Sequence, residues 1–453
     1  MLQNETIINN VQMSIMFRVA KGDDKMEKVK YVSAGVGERM QYIAHKYNDT
    51  TIRFILHYPG MLDENILCDA VKALIDSVDV LHASFIARNR TSHWTIHANC
   101  RVSDYFAFVE CDGDPMKPAQ GISLTEIRDK DKCKLHVTLV QGSQSSAVVV
   151  RISHLVVDGS DGKYLLGKLA ESYRMLEQTG AVSALQVKNG SRSAMNAYNE
   201  LHFKELASLA KAPFSGVKTE YPFRNPKEHG PLRMLRCSIP ANVLTEARKK
   251  AKAEAEGATA NDLLLTACYR AYAKNTGKEG PMSISSMMDL RNHCKDGVSD
   301  GLSNMSGGLG TELEIVSGNS FTADLKNITE QTKVAKGNPL AGLDGIPLLH
   351  MATKTFPMWL LLQAADMVYS SMSLSMTNLG NIPCEPLTMG NLKPTEGIFG
   401  GPLKLKPSVQ VGVASFDGTA ELTILGDFTT EDLESLQSFL NGIRKEVELY
   451  VRE

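Results

Sequence analysis

The stretch VVVRISHLVVDGSDGKYLLGKL, residues 148–169, constrains this chain more than any other. It opens on β-branched apolar residues that suit a buried strand. Leu165, Leu166, Leu169, Ala170, Tyr173 and Leu176 then recur at helical spacing, and Gly180 stands where it can end the helix. His154, Asp158 and Gly159 lie between the two periodicities, so an imidazole is presented on rigid backbone at a strand end. A neutral imidazole, with an ordinary pKa of about 6.5, can take a proton from an alcohol or amine and return it to a departing thiolate. Asp158 can hold the shape of the loop or pair with a cation, and Gly159 permits a sharp bend or a close approach by substrate. Out of context, the same residues also describe a satisfied strand-end histidine and an ordinary Asp-Gly turn.

The rest of the 453-residue chain supplies the context. It is about three times the length of a ~150-residue domain, which predicts two domains. The sequence divides into a first half at residues 1–190, a linker rich in Gly, Pro, Ser and Asn at 191–230, and a second half at 231–453. The net charge of −2, with Lys and Arg dispersed among Asp and Glu, leaves no basic face for nucleic acid. The eight cysteines are scattered and never form a CxxC pair, which predicts reduced thiols in a cytoplasm. The amino-terminal residues lack the basic start and long apolar core of a secretory leader. FPMWLLLQAADMVYSSM from Phe356 is too short and too interrupted to span a bilayer, and reads as a buried helix.

Element patterns run through both halves. Asp63 caps a helix in which Ile66, Leu67, Ala70, Val71, Leu74, Ile75 and Val78 form one face. The alternating runs HWTIHANCRV, YFAFVE, KLHVTLVQ and SSAVVVRIS follow, the last two joined by a short turn as antiparallel neighbours. Thr259 caps a buried helix in the second half, and Thr429 with Asp432 forms a capping box before the last one. SNMSGGLGTELEI reads as a turn before a strand and not as a phosphate loop. His93 and His97 lack a third ligand nearby, so no metal site is expected. No GxSxG elbow or catalytic cysteine setting occurs, which argues against a covalent acyl-enzyme.

These residues, in this order, resemble the coenzyme A-dependent acyltransferase superfamily with the chloramphenicol acetyltransferase fold. Its members include condensation domains, alcohol O-acetyltransferases and polyketide-associated acyltransferases. The hallmark is HHxxxDG, and here Ser153 stands in place of the first histidine, leaving the HxxxDG form used by plant-type members. ISSMMDLRNH resembles the later "DLR" segment, and SMTNLGNIP the "SNLG" strand end of the alcohol acetyltransferase branch. His82 stands where an arginine is usual, and no DFGWG-type motif is present. The resemblance runs from about Glu38 to Val447.

The resemblance implies an α/β protein of two chloramphenicol acetyltransferase-like sandwich domains, with mixed, largely antiparallel sheets and an interdomain tunnel. His154 would be the general base. Asp158, Gly159 and Arg291 would be structural, with Arg291 pairing Asp158 across the halves. Ser153, Ser375, Thr377 and Asn378 are candidates for substrate or oxyanion contact. The reaction would move an acyl group from acyl-CoA, or from a phosphopantetheine thioester on an acyl carrier protein, to a small-molecule alcohol or amine. No metal or bound cofactor is expected. The alternatives are a non-catalytic binding or carrier-docking relative and an amide-forming condensation enzyme.

Overall fold

The computed structural model describes residues 30–182, 185–198, 201–209, 217–369 and 374–453. The amino-terminal segment through residue 29, on which the secretory-leader reading was made, lies outside them, as do linker residues 199–200 and 210–216.

The first half is built on a five-stranded sheet in the order Glu396–Gly400, Thr51–Tyr58, Ser146–Ser153, Leu135–Gln141, Phe106–Glu110. Its pairs are antiparallel except the last, which is parallel. The central strand Ser146–Ser153 is buried along its whole length, which explains its unbroken β-branched run. On one face Val148, Val150 and Ile152 join the main core with Leu165, Leu166 and Leu169. On the other, Ala147 and Val149 meet Met116, Ala119 and Ile398. A separate three-stranded sheet, Lys30–Ser33, His93–Ile96, Ala83–Ile86, carries the buried Trp94.

The second half holds a six-stranded mixed sheet, Ser306–Ile315, Gly280–Asp289, Leu374–Ile382, Val409–Phe416, Thr419–Asp427, Leu232–Ile239. The strand Leu374–Ile382 runs parallel to both its neighbours, and the other pairs are antiparallel. Helices Ala260–Thr276 and Thr430–Arg452 pack on it, burying Leu263, Tyr269, Phe439 and Ile443. The α/β architecture with mixed sheets is the one expected.

One strand crosses between the two bodies. Glu396–Gly400 follows four strands of the second sheet in sequence, yet pairs antiparallel with Thr51–Tyr58 in the first. The expected helix starts and stops are present. Asp63 accepts from the Ile66 amide at 2.9 Å, Thr259 and Thr429 form capping boxes, and Gly180 ends helix Gly159–Thr179 in the left-handed region at φ 70°.

Two expectations need correction. The segment from Phe356 is not a buried helix. Helix Met358–Tyr369 turns Met358, Leu361 and Ala365 inward and leaves Trp359 56% exposed. It follows a separate helix, Ile346–Thr355. The glycines before TELEI do not form a turn either, because the strand already begins at Ser306. A Cβ on Gly307 would lie 2.2 Å from the Gly342 carbonyl oxygen, so the glycine there admits a close approach of backbone.

Candidate active site

Strand Ser146–Ser153 ends one residue before His154, whose amide donates to the Thr50 carbonyl at 2.6 Å. The imidazole Nδ1 lies 2.8 Å from the Val157 carbonyl oxygen, within the same loop. Because a carbonyl only accepts, Nδ1 carries the proton and Nε2 keeps its lone pair. Asn304 from the second half donates from its amide nitrogen to the His154 carbonyl at 3.2 Å; the same nitrogen lies 2.9 Å from Nδ1 but, with Nδ1 protonated, makes no hydrogen bond to the ring. Burial pushes the imidazole below its ordinary pKa, and the Lys404 charge adds to this, against the Val157 carbonyl and Asp158, which raise it. The ring is therefore neutral near pH 7.

Asp158 caps helix Gly159–Thr179 by accepting from the Asp161 amide at 3.1 Å. Its other oxygen takes Arg291 Nη1 at 2.7 Å and the Met305 amide at 2.8 Å. Arg291 also donates from Nη2 to Asp161 at 2.8 Å and to the Ser303 carbonyl, from Nη1 to Asp289, and from Nε to Ser299. Every guanidinium N–H thus has an acceptor, in a setting where Asp158, Asp161 and Arg291 are all buried. Burial alone would lower the arginine pKa, but Asp158 and Asp161 outweigh it and hold the charge in place. Lys188 balances the extra carboxylate from 3.2 Å, on Asp161.

Gly159 does not serve a left-handed bend, since its φ is not positive. It is the first residue of the helix, and a Cβ there would fall 2.1 Å from Leu379 Cδ1 in the second half. The glycine therefore lets the two halves approach. Lys163, one turn further on, donates to the Leu379 carbonyl at 2.7 Å and closes the same junction.

His154 and Gly159 line a cavity of about 320 Å³ walled by both halves, including Ile52, Thr377, Leu379, Phe399 and Lys404. Helices Ile346–Thr355 and Met358–Tyr369 supply another side through Leu349, Thr353 and Leu361. Of the substrate or oxyanion candidates, only Thr377 lines it. Ser153 is fully buried, and its hydroxyl lies 3.4 Å from the Leu155 amide, so it shapes the loop from below. Ser375 is covered by Gln410, which donates to it at 3.4 Å. Asn378 points to the other face of its strand, where it meets Asn261.

No family model matches the sequence, and no curated protein matches it in sequence. Solved structures do match in shape. Polyketide synthase associated protein 5 from Mycobacterium tuberculosis is 14% identical, with a TM-score of 0.64 over 92% of this chain and 100% of that one. The trichothecene 15-O-acetyltransferase of Fusarium sporotrichioides is 11% identical, with a TM-score of 0.70 over 98% of this chain and 100% of that one. The first condensation domain of the CDA synthetase is 16% identical, with a TM-score of 0.66 over 92% and 96%. The fold is the one these structures share, the two-domain α/β fold expected from the sequence.

Within this fold, several residues around the histidine were not singled out from sequence. Asp161 is one, although it sits three positions after Asp158 and so within one helical turn of it. Arg192, from the linker, donates to the carbonyls of Val156 and Leu155 at 3.2 and 3.3 Å and pairs with Glu38 at 3.0 Å. It supports the histidine loop from behind. Asn304, Lys404 and Gln410 reach the site from the second half with no motif to mark them. Among the described residues, no helix is long and apolar enough to cross a membrane.

Proposed function

We propose that the protein is an acyltransferase that moves an acyl group from a coenzyme A or carrier-protein thioester to a hydroxyl or amine, with His154 as general base. One observation carries this reading: His154 lines the cavity with Nδ1 engaged by Val157, while Nε2 has no partner among the described residues. Nε2 takes the proton of the acceptor as the acceptor's lone pair attacks the thioester carbonyl carbon. The tetrahedral oxyanion collapses, the carbon–sulfur bond breaks, and the imidazolium returns the proton to the departing thiolate. Both substrates are held at once, so proximity supplies part of the rate. Thr377 Oγ1 is the hydroxyl we assign to the oxyanion. Donor and acceptor would enter from opposite faces of the interface between the halves.

A purely structural or carrier-docking role has less support. A buried network that satisfies every N–H of Arg291 around the Asp158 loop holds the histidine in one orientation, which a docking surface does not need. The test is mass spectrometry of the purified protein with a panel of acyl-CoA donors, following free thiol and acylated product with and without alcohols and amines. Acceptor-dependent thiol release is expected. As pH falls, protonation of Nε2 removes the base, and burial has lowered its pKa, so the acid limb of kcat/KM lies below the ~6.5 of a free imidazole. Absence of thiol release with every donor, or an acid limb above that value, contradicts the assignment.

A further inference from the structure

A second charged side chain faces the same cavity. Lys404 follows strand Glu396–Gly400 and lines the cavity together with His154. Its ammonium has several N–H donors, and one hydrogen bond is found for it, to Asn48 Oδ1 at 3.2 Å. The carboxylate whose charge acts on it, Asp49, is already engaged by the Arg53 guanidinium and by the Leu403 amide at 2.8 Å. Among the described residues no ion pair neutralises Lys404. The other charged residue of the lining, Asp344, is exposed. Burial pushes the Lys404 ammonium down to about 8, which leaves it protonated at pH 7.

The surroundings are otherwise mostly apolar, with Ile52, Leu379 and Phe399 in the same wall. Gln410 also lines the cavity, and its Oε1 is buried without a hydrogen-bond partner among the described residues. A cation kept in an apolar cavity costs solvation free energy unless a ligand returns the missing partner. The arrangement therefore suits a ligand with an apolar body and one anionic end.

We propose that the substrate bound in this cavity carries a carboxylate, which Lys404 receives while Asn48 holds the ammonium in place. The step from ligand to substrate rests on the acyl-transfer reading of the site. The carboxylate belongs either to the acceptor, as a hydroxy or amino acid, or to the far end of a dicarboxylic acyl thioester.

Binding can be tested without turnover. Calorimetry at pH 7 compares decanoate with decan-1-ol on the wild type, Lys404→Met and Lys404→Arg, with thermal melts reporting the folding of each. The wild type should prefer decanoate by about tenfold or more, the size of one charge-assisted hydrogen bond. Lys404→Met should lose that preference and Lys404→Arg keep it. Equal binding of the two probes, binding of neither, or a preference that survives Lys404→Met overturns the proposal. If Lys404→Met fails to fold, the wild-type comparison and Lys404→Arg still decide.

Kinetics then separate the sources. Succinyl-CoA against butyryl-CoA tests the donor, and 10-hydroxydecanoate against decan-1-ol tests the acceptor. A preference for the charged member of either pair assigns the carboxylate to that substrate. A decanoate preference without acyl transfer from any donor would remove the acyl-transfer reading and leave the carboxylate site standing. Acyl transfer without the preference would do the reverse.

Discussion

Arg291 holds two carboxylates from one helical turn, Asp158 and Asp161, and all three side chains are buried. Removing either end of such a contact leaves an uncompensated charge in a poorly solvated place. Arg291→Ala should therefore cost about 3–5 kcal/mol, and Asp161→Ala should cost a similar amount. Denaturant unfolding measures both. An Asp161→Ala variant within about 0.5 kcal/mol of wild type, the range of ordinary surface changes, would show that Asp158 and Asp289 suffice to anchor the arginine. The pair of Asp158 and Arg291 was legible because both residues belong to motifs. Asp161 was not, because the motif ends at Gly159 and nothing in the sequence marks a second carboxylate for the same guanidinium. Lys404 and Asn304 were illegible for another reason: their partners lie far away in the chain, Asn304 being 150 positions from His154.

Helix Gly159–Thr179 begins where the second half comes closest, and the residue at that point has no side chain. A methyl on Gly159 would collide with Leu379 before it could gain anything from helix propensity. Gly159→Ala should destabilise by about 1–3 kcal/mol, the usual cost of overpacking. The loss should shrink in a Leu379→Ala background, which thermal melts of the two single variants and the double variant can measure. Additive effects would mean that the two residues do not meet. Elements of this kind were readable where local chemistry decides them. Asp63, Gly180 and the Thr429–Asp432 box act within a few residues, so the helix ends were foreseen. Of the readings open for Gly159, the left-handed bend is not used, and the contact that requires a glycine comes from a neighbour 220 residues downstream that nothing in the sequence marks.

Over the whole molecule, the two larger sheets are tied by a strand that belongs to one half in sequence and to the other in space. Glu396–Gly400 completes the first sheet only when the second half is present, and the Arg291 network spans the same boundary. The chain should therefore unfold as one unit. In a Trp359→Phe variant, Trp94 is the remaining tryptophan, buried in the first half, and its fluorescence should change over the same denaturant range as far-UV ellipticity. Two separated transitions would mean that the halves are coupled weakly. This crossing was invisible in the sequence, because strand patterns give the period of side chains and not the partner of an edge.

The central claim is that one imidazole on a braced loop does the proton transfers of an acyl transfer, and the most direct measurement is acceptor-dependent thiol release by the wild type and by His154→Ala. The account predicts that His154→Ala loses about 10²–10⁴-fold in kcat while circular dichroism and thermal melting stay as in wild type. Turnover at the wild-type rate in a folded His154→Ala protein would contradict it.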